Sequence, residues 1–180
     1  MRILHLTKKD YKVGQWSGGS TTELFIWPEG ADYAKREFSV RVSSARVDLA
    51  ESDFTPLTGV TRYITPLSGG FTLTHPGSVP VVMTPLDVPY RFSGETPTHC
   101  VGTATDFNLM LKGIEGSMIL CHNHWEIRPG FNCLYTVAET AVQLEENYTL
   151  HPGDLLVVFA EKSCSAAITA SAIACYAAIS

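Results

Sequence analysis

His75-Pro-Gly-Ser-Val-Pro-Val-Val82 returns, with changes, as His151-Pro-Gly-Asp-Leu-Leu-Val-Val158. Each copy follows a short β-prone run, Phe71-Thr-Leu-Thr74 before the first and Asn147-Tyr-Thr-Leu150 before the second. Both read as a strand, a Pro-Gly turn and a second strand. Proline holds φ at one turn position, and glycine supplies the positive φ that other residues resist. The competing reading is two unrelated hairpins that share a turn dipeptide. The shared Val-Val in the same register favours two related β modules. It predicts that the turns at 75–77 and 151–153 occupy equivalent places in them.

On either side of these turns, period-two alternation between turn signals dominates the chain. Strands are expected over 21–27, 37–42, 62–66, 70–74, 79–83, 88–92 and 105–111 in the first half. In the second half they are expected over 117–122, 132–138, 142–144, 155–160 and 172–176. Helical periodicity is scarce, with room for a single turn at 30–36 or 50–54. Many short antiparallel strands with Gly and Pro turns imply an all-β chain of barrels or sandwiches. Lys112-Gly-Ile-Glu-Gly116 is the natural boundary. The expected modules are therefore residues 1–112, carrying a ligand pocket, and residues 113–180, tightly packed with the first and open to strand exchange with it.

A chain of 180 residues can bury a substantial core. Charged residues are 17%, low enough to suggest a surface covered by a second copy of the chain, a homodimer. A net charge of −5 and the absence of Lys or Arg runs argue against nucleic acid and anionic lipid as partners. No apolar stretch reaches the roughly 20 residues that span a bilayer, and the N-terminal residues do not read as a signal peptide. Cysteines at 100, 121, 133, 164 and 175 form no CxxC pair. They read as reduced, mostly buried thiols without disulfides, in a cytoplasm.

Two groups of residues are candidates for chemistry. Gly116-Ser-Met-Ile-Leu-Cys-His122-Asn-His124 resembles the start of the cupin metal motif. His residues at i and i+2 of one strand would face the same side. Arg128 and Pro129 stand where that motif has its Glu, and Leu156 where a third His is expected. Glu126 is the remaining candidate beside His122 and His124, with Fe, Mn or Zn as the metal. The bland reading is a polar outer face of a strand, so no metal or other cofactor is expected.

The second group lies in the first half. Thr21 and Glu23 share a strand face, as do Arg41 and Ser43, and Asp106 and Asn108; Arg62 opens another strand. Phe107, Leu109 and Leu111 stand opposite Asp106 and Asn108. If these polar faces point inward, the module holds two arginines and two carboxylates, which must be paired or completed by a ligand. Each residue taken singly would instead favour an outward, solvated face.

In order along the chain stand Trp16-x-Gly-Gly-x-Thr-x-Glu23, Phe38-Ser-Val-Arg-Val-Ser43, Phe54 through Gly59-Val-Thr-Arg62, and Asp106-Phe-Asn-Leu-Met110. Together they resemble the HutD/Ves family of small cupin-fold proteins, over about residues 3 to 112. The later part matches mainly through its length and Leu150-His-Pro-Gly-Asp154. The chain departs from the family at Ser17, where Asn is usual, and at Thr61, where Asp commonly precedes the Arg. The resemblance implies two fused cupin-like β modules (a bicupin), a cytoplasmic location, often a dimer, and association with bacterial histidine utilisation. It implies no established enzymatic activity, and hence no catalytic residue, but binding of a pathway intermediate such as N-formimino-glutamate or a related formylated acid. Thr21, Glu23, Arg41, Ser43, Arg62, Asp106 and Asn108 are the expected ligand-binding set. Bidentate arginines suit a carboxylate, and Glu23, Asp106 and Asn108 suit a nitrogenous head group. The alternatives are a metal-dependent cupin enzyme acting on a small polar acid, and a protein–protein interaction module.

Overall fold

Residues 1–179 are described by a computed structural model. Alternation becomes strand nearly throughout, and no helix forms among the described residues. The first strands are β1 (Arg2–Leu6), β2 (Lys12–Trp16), β3 (Gly19–Trp27), β4 (Val40–Val47) and β5 (Glu51–Asp53). There follow β6 (Val60–Gly69), β7 (Phe71–Thr74), β8 (Val81–Met83), β9 (Tyr90–Ser93), β10 (His99–Val101) and β11 (Ala104–Lys112). The second half contributes β12 (Gly116–Cys121), β13 (His124–Ile127), β14 (Gly130–Thr136) and β15 (Thr140–Gln143). The last are β16 (Asn147–Leu150), β17 (Leu155–Ala160), β18 (Cys164–Ile168) and β19 (Ala172–Ala177). The two stretches with room for a helical turn do otherwise. Residues 30–36 form turns closed by an Asp32–Glu37 bridge, and 50–54 contain β5.

The chain divides into Lys12–Gly113 and a second unit made of Met1–Tyr11 with the chain from Ile114 on. The first eleven residues, expected with the N-terminal module, thus belong to the other one, because β1 pairs antiparallel with β17. Each unit is an open two-sheet sandwich. In the Lys12–Gly113 unit the sheets run β2-β3-β4-β11-β6-β9 and β5-β10-β7-β8. In the other they run β1-β17-β14-β19-β12 and β13-β18-β15-β16.

The two orders superimpose when β12 through β19 are matched to β4 through β11, so the units are topological repeats. The HPG turns are not the equivalent points. The first joins β7 to β8, which pair with each other. The second joins β16 to β17, which lie in different sheets. Its true counterpart is Thr84-Pro-Leu-Asp87, between β8 and β9. Asp154 Oδ2 accepts the His151 N–H (2.9 Å), as Asp87 Oδ2 accepts that of Thr84 (2.6 Å). Gly153 (φ +94°) and Leu86 (φ +62°) hold the same left-handed position. The Gly153 N–H reaches Thr136 O at 2.8 Å, and that of Leu86 reaches Pro66 O at 2.9 Å. The shared HPG spelling is therefore a turn preference reused at two different corners, and it does not mark a repeat; what the two units share is strand order and this x-Pro-x-Asp turn.

Within the second unit Trp125, Leu134, Leu150, Leu156, Val158 and Ala174 form one apolar core. All five cysteines are free thiols, with Cys164 partly buried and the other four buried. No helix among the described residues is long and apolar enough to cross a membrane.

Candidate functional site

Registry on the six-stranded sheet sets the predicted residues in rows. Asp106 of β11 stands opposite Ala45 of β4 and Pro66 of β6, and Thr21 of β3 opposite Ala45. In the next row come Glu23, Ser43, Asn108 and Ile64. A bulge in β3 between Glu23 and Phe25 follows, and then Arg41, Met110 and Arg62. Because strand side chains alternate, these rows share one face, while Phe107, Leu109 and Leu111 are buried on the other. All seven predicted ligand-binding residues, Thr21, Glu23, Arg41, Ser43, Arg62, Asp106 and Asn108, line one cavity of about 600 Å³. The inward reading of the polar pairs is the one realised.

The two arginines are not alike. Arg41 is held: its Nε donates to Glu23 Oε2 at 2.9 Å, Nη1 to Ser43 Oγ at 3.2 Å, and its guanidinium lies 3.9 Å from the Tyr33 ring centroid. Arg62 is buried over the rings of Phe54 and Phe92, at 4.7 and 5.3 Å. Its Nη2 donates to Asn108 Oδ1 at 3.3 Å, while its buried Nε has no hydrogen-bond partner. Burial lowers the Arg62 pKa from the usual arginine value, and nearby Asp106 opposes the effect.

Asp106 makes no ion pair with Arg62. Asn108 stands between them, its Nδ2 donating to Asp106 Oδ1 and its Oδ1 accepting from Arg62. This fixes which end of the amide faces which charge. The Ala45 N–H also reaches Asp106 Oδ1, at 3.2 Å. Burial pushes the Asp106 carboxyl up to about 7, against the lowering effects of the Ala45 N–H, Arg62 and Asn108. The four charges are thus not two simple pairs. Glu23 and Arg41 neutralise each other, and Asp106 is partly protonated near neutrality, which leaves Arg62 as a cation short of a counter-charge.

Sequence reasoning missed the aromatic plates. Tyr33 sits in the β3–β4 connection, where nothing local marks it as a neighbour of an arginine; Phe54, just after β5, opens the motif that ends at Arg62, but its place there does not show that it packs on that guanidinium. Phe92 is set opposite Arg62 by the β6–β9 ladder. Lys12, Gln15 and Trp16 of β2 also line the cavity; Trp16 stands out in the sequence as part of a motif but not as a wall of the site.

The His122, His124 and Glu126 alternative is not assembled. His122 lies beyond the end of β12 and outside β13, where Asn123 turns the chain with a φ of +64°. Its Nδ1 and Ser171 Oγ are 2.6 Å apart. His124 and Glu126 are on the exposed face of β13, and Trp125 and Ile127 turn inward. Among the described residues no group of three or more His, Cys, Asp or Glu could hold a metal ion. The second unit also lacks the Asp106–Asn108 pair. If Thr136 is matched to Pro66 through the shared turn, the registers align Ala172 with Asp106 and Ala174 with Asn108.

Among solved structures, HutD from Pseudomonas fluorescens SBW25 is similar over 98% of both chains at 24% identity, with a TM-score of 0.83. A conserved protein of unknown function from Pseudomonas aeruginosa PAO1 is similar over 97% of both at 23% identity and a TM-score of 0.82. A nickel(II)-bound bacterial pirin from Escherichia coli is 8% identical over 98% of both, at 0.66. With these likenesses the two sandwiches are cupin folds. A search of curated protein sequences gives no match. The family model of HutD matches residues 8–176, and the chain therefore belongs to the HutD family, as a cupin protein with a polar cavity.

Proposed function

We propose that this protein binds a small carboxylic acid in the cavity of its Lys12–Gly113 unit and acts as a regulator of histidine breakdown, without transforming the ligand. The observation that carries the reading is Arg62. A buried guanidinium that lines a cavity, is backed by aromatic rings and has an Nε without a hydrogen-bond partner is costly to keep unless an anion completes it. A carboxylate is the natural complement of its planar donors. The Asp106–Asn108 pair and the Glu23–Arg41 pair then face the rest of the ligand, where an amidine or formyl head group finds acceptors and donors. N-formimino-glutamate and related formylated acids are the candidates. Family membership supports the link to histidine utilisation and, with it, a cytoplasmic, dimeric protein.

The test is a thermal-shift screen with histidine-pathway acids. A ligand that binds only the native state stabilises it by about 2.7 kcal/mol at a hundred times its Kd. The midpoint should rise with a formimino or formylated acid, and the rise should vanish in Arg62→Met. If no carboxylic acid of that pathway moves the midpoint, the proposal is wrong.

A further inference from the structure

Resting on the small-acid reading, we propose that the cavity takes up one proton together with its anion, and that Asp106 is the group that receives it. Arg41 is committed to Glu23, so Arg62 is the guanidinium available to an incoming carboxylate. It is also the guanidinium whose charge stabilises ionised Asp106. Once a carboxylate sits on Arg62, two anions would share one cation, and because Arg62 and Asp106 are both buried, solvent does little to screen the repulsion between them. Taking a proton from solvent onto Asp106 removes the second anion. The local hydrogen bonds tolerate this change, because Asp106 Oδ1 goes on accepting from Ala45 and Asn108 while the proton rides on the other oxygen.

The surrounding groups leave Asp106 as the one that changes. Glu23 on β3 is fixed on Arg41 of β4 at 2.9 Å. Asp53 on β5 is solvated and sits 2.8 Å from His99 of β10. Lys12 on β2 is exposed, so water screens it. Cys100 on β10 is pushed by burial and by Asp106 to about 11 and stays a neutral thiol. Tyr33, in the β3–β4 connection, lies against the Arg41 guanidinium. Arg62 on β6 remains the partner of both anions. Asp106 therefore acts as a selector: the site favours an anionic ligand where it can be neutral and disfavours one where it is ionised.

Sodium formate, the smallest carboxylate, is the probe. Its own charge does not change above about pH 5, so any pH dependence belongs to the protein. The expected result is a formate affinity that is flat at low pH and falls by roughly tenfold per pH unit above about pH 7, the slope for uptake of one proton. Asp106→Asn should bind formate with no such slope. A carbon-13 titration of the Asp106 carboxyl in the unsubstituted protein gives the same answer without a variant: its midpoint should rise when formate is added. If formate shifts the Arg62 Nε–H resonance but leaves the Asp106 midpoint in place, proton uptake is refuted and the small-acid reading stands. If formate leaves Arg62 untouched at pH 6, both fall.

Discussion

Replacing Asp106 by Asn should make the ligand-free protein more stable at pH 8 and leave it little changed near pH 4. The carboxyl is fully buried, and its pKa moves from 3.8 to about 7. At about 1.4 kcal/mol per tenfold change in proton affinity, that rise comes to roughly 4 kcal/mol. Below about pH 4 the carboxyl is protonated in both folded and unfolded chains and contributes no pH dependence. Between about pH 4 and 7 the folded chain keeps a proton that the unfolded chain has released, so rising pH favours unfolding. Above about pH 7 both states are ionised and the full cost applies. Asn cannot ionise, keeps an oxygen to accept from the Ala45 N–H and Asn108 Nδ2, and escapes the decline. Urea unfolding of both proteins across pH 4 to 8 measures it. The stability difference should swing toward the variant by several kcal/mol as pH rises through that window. A difference that stays constant across it would mean that Asp106 ionises normally, and the account of this cavity would be wrong.

Arg62→Met should weaken carboxylate binding by about 30-fold or more, the cost of losing a desolvated charge partner, whereas Arg41→Gln, removing a guanidinium already spent on Glu23, should cost less; calorimetric titration compares them. Trp125→Ala should destabilise the second unit by about 3–5 kcal/mol, since the side chain is 1% exposed in its core, and a loss of unfolding free energy under about 1 kcal/mol in denaturant titration would contradict that packing. Gly153→Ala should cost about 1–2 kcal/mol through its φ of +94° alone, because an added Cβ meets nothing closer than Lys8 Cε at 3.9 Å. His124→Ala, on an exposed strand face, should leave the unfolding free energy within about 0.5 kcal/mol of the parent and the metal content unchanged; a stoichiometric metal lost on that substitution would revive the enzyme alternative.

Alternation is a local property, so the all-β character and the faces of the longer strands are legible in the amino-acid sequence by itself, whereas β1, β2, β5, β10, β13 and β18, three to five residues each, are too short for the pattern to mark. Asp106 and Asn108 on one side of a strand, with Phe107, Leu109 and Leu111 on the other, need only the period of two. Charges in complementary numbers on such faces are compatible with an inward polar site, and all seven residues do line one cavity. Partner choice is not local. The same letters HPG mark two different corners, because a Pro-Gly turn states only that the chain reverses, not which sheet receives the next strand. The first strand belongs to a module that begins more than a hundred residues later, through a ladder that no nearby residue announces. At His122 and His124 the i, i+2 rule fails because the two do not share a strand: β12 ends at Cys121 and β13 begins at His124. At the cavity itself, residue types and spacing supply the charges, while long-range packing decides how they are matched: Glu23 on Arg41, Asn108 between Asp106 and Arg62, and Tyr33 and Phe54 as plates from distant connections. Burial is the physical reason that difference matters, since only in a desolvated space does the identity of a charge's neighbour decide whether it is ionised, and burial is a property of the folded chain alone.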